Sequence, residues 1–188
     1  MKPKENKAGK SFTSYDNCET PPYALDPIDF LLGASFEYMH IWEPAMGRGR
    51  MVQAMLDRDW YVYGTNDNFF ETNVPSGVDL VVTNPPYSIK YDWVKHCYDI
   101  KIPFALLMPV EMIATEKGAK LFANDDSLSI VYTYPRIDFF MPNLGWGGGG
   151  AQYPTAWYIS GFRNLNPRYW FHLENKPPRK DHARLFGG

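Results

Sequence analysis

The sequence predicts an α/β domain built around a mostly parallel sheet, with helices on both faces. Strand-like apolar runs alternate with amphipathic stretches along most of the chain. One run, Leu80-Val81-Val82, is uniformly apolar, as a strand covered on both faces must be. The last two strand-like runs, Ser129–Tyr134 and Ala156–Ser160, have no helical pattern between them, which predicts a terminal antiparallel strand.

In order, residues 1–17 are polar, lysine-rich and aperiodic, and are expected to form a flexible tail. Thr20-Pro21-Pro22-Tyr23 opens a helix whose apolar positions are Leu25, Ile28, Leu31 and Leu32; proline is tolerated in a first turn, where its missing N–H would be unused. Tyr38–Trp42 is a first strand, ending at Glu43-Pro44, and Gly47-Arg48-Gly49 turns the chain into a helix carrying Met51, Val52, Met55 and Leu56. Trp60–Thr65 is a second strand, and the turn at Pro75-Ser76-Gly77 leads into Leu80–Val82. A helix near Tyr91–Tyr98, a strand Phe104–Met108 and a helix near Glu116–Ala123 continue the alternation. The glycine run Gly145, Gly147–Gly150 is expected to be a loop between the last two strands, and residues 163–188 a basic, proline-containing tail. One domain, 18–162, lies between the tails.

Composition narrows the function. The chain has 188 residues, 45% hydrophobic and 21% charged, as a single globular domain with a substantial core should. A net charge of −2 provides no overall basic field for capturing nucleic acid, so phosphate contacts would come from local clusters: Lys2, Lys4, Lys7 and Lys10, or Arg163, Arg168, Lys176, Arg179, Lys180 and Arg184. Solvated termini explain both clusters equally well. Two cysteines, Cys18 and Cys97, and four histidines show neither disulfide nor metal-ligand spacing, so no metal is expected. No apolar run reaches membrane length and the start lacks a signal-peptide core, which predicts an intracellular, reducing setting.

The most informative stretch is Asp79-Leu80-Val81-Val82-Thr83-Asn84-Pro85-Pro86-Tyr87-Ser88. Two prolines forbid continuation of the strand, since neither offers an N–H and each restricts its predecessor. The stiff turn leaves the Asn84 amide, a proline carbonyl and the Tyr87 ring at the carboxyl end of a strand, where open α/β sheets bind ligands. An amide oxygen and a fixed carbonyl can together hold an amino group while a ring covers a flat heterocycle. A plain Pro-Pro turn is the alternative.

Asn84-Pro85-Pro86-Tyr87 resembles the catalytic motif of S-adenosylmethionine-dependent amino-methyltransferases, most often those of adenine in DNA. Glu43-Pro44-Ala45-Met46-Gly47-Arg48-Gly49, after the first strand, is similar to that family's cofactor loop. The resemblance spans roughly residues 18–162 and implies a Rossmann-like methyltransferase fold. It implies S-adenosylmethionine as cofactor, adenine N6 in DNA as target, and a base flipped out of the duplex onto Tyr87. It places Glu43, Pro44, Ala45 and Gly47 at the cofactor, with Glu43 near its methionine end. Thr20 matches the segment that closes over the methionine moiety, with a helix N-cap as competing role.

The chain departs from the family pattern after the second strand. Where an acid is expected to grip the ribose hydroxyls stand Asn66 and then Asp67; a carboxylate suits a diol better, which favours Asp67. The spacing from Glu43 to Asn84 is short for the family, so a strand and helix after the second strand are expected to be shortened or lost. Phe69 or Phe70 could sandwich the cofactor's adenine, core packing being the other role. Trp157 could wall the target base or be an ordinary core tryptophan.

The resemblance also implies a cytoplasmic, nucleic-acid-associated enzyme of a bacterial or phage-infected cell, small enough to stand alone without a target-recognition domain. Sequence preference would then come from loops such as Pro142–Tyr153, or from a partner. Methylation of RNA bases or of protein glutamine uses the same motif and stays open. A non-catalytic cofactor-binding scaffold is the reading of another class.

Overall fold

A computed structural model describes residue 16 and residues 18–141, 145–146 and 154–176. The expected N-terminal tail (apart from Asp16), most of the glycine run and the end of the C-terminal tail lie outside the described residues, as do Lys2, Lys4, Lys7, Lys10, Arg179, Lys180 and Arg184.

A short 3-10 turn, Pro22–Leu25, leads into α1 (Asp26–Phe36), followed by β1 (His40–Glu43), α2 (Arg50–Leu56), β2 (Tyr61–Gly64) and β3 (Leu80–Thr83). Then come α3 (Lys90–Ile100), β4 (Phe104–Pro109), a 3-10 stretch at Val110–Ala114, α4 (Glu116–Phe122) and β5 (Ser129–Tyr134). A two-residue pair, β6 (Phe140–Met141) and β7 (Gly145–Trp146), precedes β8 (Thr155–Ser160) and β9 (Arg168–His172). The sheet order is β2-β1-β3-β4-β8-β5-β9, parallel except that β8 runs antiparallel to both β4 and β5. The expected antiparallel strand is therefore present, but it lies inside the sheet rather than at its edge.

Two further points depart from the sequence reading. β9 falls in the segment expected to be a tail; it pairs parallel with β5, Tyr132 opposite Trp170. Beyond it, Lys176 Nζ lies 2.9 Å from the buried Asp138 carboxylate, and Asn175 donates to Asp26 on α1. The fold thus extends past residue 162. β1 begins two residues later than expected, leaving Tyr38 exposed ahead of it. Between β2 and β3 the chain forms neither helix nor strand, as the short spacing foretold, so β2 is a sheet edge.

Helices cover both faces. On one, α1 and α2 bury Ile28, Leu32, Phe36, Met51 and Met55 against Ile41, Leu80, Val82, Leu107 and Trp157. On the other, α3 and α4 bury Trp93, Val94, Cys97 and Phe122 against Trp42, Val81, Leu106, Met108 and Tyr158. This alternation along β3 and β4 is the period-two pleat, and it explains why both strands read as unbroken apolar runs. Arg58 clamps the first layer: its guanidinium donates to Asp26 Oδ1 at 2.7 Å and to the Ala54 and Pro22 carbonyls. No helix among the described residues is long and apolar enough to cross a membrane.

The start of α4 lies close on the preceding 3-10 stretch. Thr115 caps α4 by accepting from Gly118 N–H, and a β-carbon at Gly118 would collide with the Met112 carbonyl oxygen. Alanine is the better helix former by about 1 kcal/mol, yet here overpacking dominates. Gly118→Ala is expected to lower stability by about 1–3 kcal/mol, read as a drop in the urea midpoint.

Candidate active site

The site assembles where β1 and β3 end side by side. Glu43, the last residue of β1, is buried, and its Oε1 accepts from Ala45 N–H at 2.9 Å and from the Thr83 hydroxyl at 2.6 Å. That carboxyl thereby ties the turn after β1 to the last residue of β3. Burial pushes it up to about 8, against the opposing pull of the Thr83 and Ala45 hydrogen bonds.

Beyond Ala45 the chain makes a glycine turn. Gly47 (φ 56) and Gly49 (φ 84) sit in the left-handed region, where a side chain would be strained, and Gly49 leads directly into α2. Asn66 braces this turn: its Oδ1 accepts from Gly47 N–H and its Nδ2 donates to Gly47 C=O, both at 2.8 Å. Its amide is therefore spent on the loop backbone. Asp67 is exposed and, among the described residues, makes no hydrogen bond or ion pair. Of the two sequence candidates, Asp67 has the free carboxylate.

Asn84 follows Thr83 directly, half-buried, with Pro85 buried behind it. Its Nδ2 donates to Thr20 Oγ1 at 3.0 Å, while its buried Oδ1 has no partner. Thr20 thus orients the Asn84 amide directly. It does not cap a helix, because the 3-10 turn starts after Pro21 and has no side-chain cap. The Pro86 carbonyl is taken by Ile89 N–H, which leaves the Pro85 carbonyl as the one beside Asn84. The Tyr87 ring is half-buried; its hydroxyl is buried and unpartnered, and burial raises it well above the ordinary tyrosine range, with Cys18 and Glu111 adding to the effect.

The segment before Thr20 contributes residues that the motifs did not reveal. Glu19 forms an antiparallel bridge with Phe140, and its carboxylate meets Arg48 at 3.4 Å and pairs with Arg50 of α2. Asp16 accepts from Ser88 N–H, just beyond the Pro-Pro turn. Cys18 lies near Asn84; burial pushes its thiol up to about 11, so it stays protonated at neutral pH. A cleft is lined by Glu19, Thr20, Glu43, Gly47, Arg50 and Asn84. Of these, Thr20, Glu43, Gly47 and Asn84 carry a signal in the sequence; Glu19 and Arg50 carry no spacing signal because tertiary contact alone joins them.

Two aromatic expectations resolve toward the core. Phe69 is buried, stacked on Trp93 at 4.2 Å, and Phe70 packs edge-on beside it. Trp157 is corrected: it is fully buried, its indole N–H donates to the Ala24 carbonyl at 2.8 Å, and a base could reach it only by opening the core.

No protein-family model and no curated protein sequence matches the chain. Solved structures do. One, assigned as a class I S-adenosylmethionine-dependent methyltransferase from Listeria monocytogenes, superposes with a TM-score of 0.54 at 13% identity, covering 84% of this chain and 66% of that one. The chain has a Rossmann-like methyltransferase fold. A second structure with this fold, a modification subunit assigned to a type I restriction enzyme of Vibrio vulnificus YJ016, superposes at 0.50 with 11% identity, covering 89% of this chain and 51% of that one. The chain thus spans between half and two thirds of the length of these methyltransferase-fold proteins.

The Glu43 environment makes a pH prediction. An ordinary glutamate titrates near 4.5, and the folded protein holds this proton up to about 8. Between these values unfolding releases a proton, so the stability contributed by the protonated acid is complete below 4.5 and is lost as pH rises through about 8. Glu43→Gln keeps the acceptor oxygen and removes the titration. Urea unfolding at several pH values across that range should show wild-type stability falling more steeply than that of the variant.

Proposed function

We propose that the protein is an S-adenosylmethionine-dependent methyltransferase acting on the exocyclic N6 amine of adenine in DNA. The observation that carries this reading is Asn84: one end of its amide is held by Thr20, and the other, a buried oxygen, has no partner. A buried acceptor without a partner costs about 1–3 kcal/mol, and a substrate N–H would satisfy it.

The cleft suits the cofactor. The methionine end of S-adenosylmethionine carries an ammonium and a carboxylate; Glu19 and Arg50 offer both signs of charge, and the Glu43 carboxyl lies beside them at a glycine turn where backbone can approach closely. Exposed Asp67 is the proposed ribose grip. When bound, the cofactor supplies a methyl group on a positively charged sulfur.

The chain's residues do the rest. An aromatic amine is a poor nucleophile because its lone pair is delocalised into the ring. Hydrogen bonds from its two N–H groups to Asn84 Oδ1 and the Pro85 carbonyl favour a pyramidal nitrogen and stabilise the positive charge that grows on it during attack. Pro85 and Pro86 hold these acceptors rigid, which lowers the reorganisation required. Tyr87 stacks on the base, which has left the duplex to enter the site.

The test is transfer of labelled methyl from S-adenosylmethionine to unmethylated DNA, RNA and protein extract in parallel. N6-methyladenine in DNA is the expected product. Asn84→Ala should reduce the rate by about 10²–10³-fold, the loss typical of removing one preorganised charge-stabilising group. Thr20→Val, which frees the amide to rotate, should lower kcat while leaving the fold intact. Label confined to RNA or protein would replace the substrate, and bound cofactor without any transfer would sink the catalytic reading.

A further inference from the structure

The sheet carries a second surface at its β5–β9 end. Register pairs Ile130 with Arg168, Tyr132 with Trp170 and Tyr134 with His172, so these six side chains share one face. Their neighbours Val131, Tyr169 and Phe171 point to the opposite core. The rings form two cross-strand pairs: Tyr132 stacks on Trp170 at 5.5 Å and 25°, and Tyr134 meets His172 at 5.1 Å. These rings face solvent, Trp170 being 65% and Tyr134 51% exposed. Trp170 is exposed where Trp42, Trp60, Trp93 and Trp157 are buried.

We propose that this face binds single-stranded DNA beside the target base, an inference that rests on the reading of the protein as a DNA methyltransferase. Tyr132 backs one face of Trp170, and β9 is the edge strand, so a base can extend the stack on the outer side. The Arg168 guanidinium, 5.9 Å from the Trp170 ring, offers a cation to the backbone or to the stacked base. Glu174 lies 3.9 Å from His172 and limits positive charge at that end. With a net charge of −2, the grip depends on stacking more than on phosphate attraction.

Position supports the occupant. β3, β4, β5 and β9 run parallel, so Tyr134 and His172 end on the same side of the sheet as Asn84. Three strand spacings separate β3 from β5, about 14 Å, which a strand covers in roughly two to four nucleotides. Bases at that separation in a single strand have no fixed stack of their own, and the rings supply one.

The experiment is anisotropy of a labelled dT homopolymer of about twelve nucleotides, which contains no adenine and so reports this face independently of the catalytic pocket. Wild type should bind it. Trp170→Ala should weaken binding about five- to a hundredfold, the range for losing one stacked base. Trp170→Phe should keep most of the affinity, Tyr134→Ala should also weaken it, and Asn84→Ala should leave it unchanged. Unaltered binding by both alanine variants at wild-type urea midpoints would overturn the proposal, as would equal binding of duplex or a tenfold preference for rU over dT. Methyl transfer to DNA without dT binding defeats this inference alone; dT binding without transfer defeats the catalytic reading alone.

Discussion

Glu43 sits where two parallel strands end, and its carboxyl oxygen holds both of them. By accepting from Ala45 N–H and from Thr83 Oγ1, it places the glycine turn after β1 at a set distance from the turn after β3. The adjacent strands make this possible, since β1 pairs with β3 and the two finish at the same level. Burying an ionisable group is costly, and the raised affinity of Glu43 for its proton expresses that cost. The return is a rigid junction between the part of the site read as a cofactor cradle and the part read as catalytic.

The second fastening comes from a distant part of the chain. Residues 18–20 cross the carboxyl ends of the strands, joined to Phe140 through Glu19 and to Asn84 through Thr20. Asn84 is consequently held from two sides: the strand and its prolines set its backbone, and Thr20 sets its amide. Preorganisation of this kind matters more than added contacts, because an acceptor that must rotate into place loses much of its electrostatic value.

Several features are legible in the sequence. Nearly every helix and strand through β8 was visible, because apolar periodicity and Pro-Gly punctuation both reflect local geometry. The loss of structure between β2 and β3 was legible as a short spacing. β9 was not: Arg168-Tyr169-Trp170-Phe171-His172 alternates weakly, has one face left in solvent, and follows a proline in a basic stretch. The bracing role of Asn66 was not legible, because its partner is the backbone of Gly47, nineteen residues earlier, and backbone partners leave no mark in sequence. Trp157 was ambiguous because a buried indole and a stacking wall are the same residue type; its hydrogen bond to Ala24 decides between them.

The sequence alone determined the α/β class, the stiff Asn84-Pro85-Pro86-Tyr87 turn at a strand's end and the glycine turn after Glu43, since each follows from covalent restrictions or short-range periodicity. Tertiary structure decided which groups are spent and which are available. Asn66 is consumed by a loop, Trp157 by the core, and one end of the Asn84 amide by Thr20, while Asn84 Oδ1 is left over. Availability of a hydrogen-bonding atom is a property of everything around it, so it is set only when distant segments have packed.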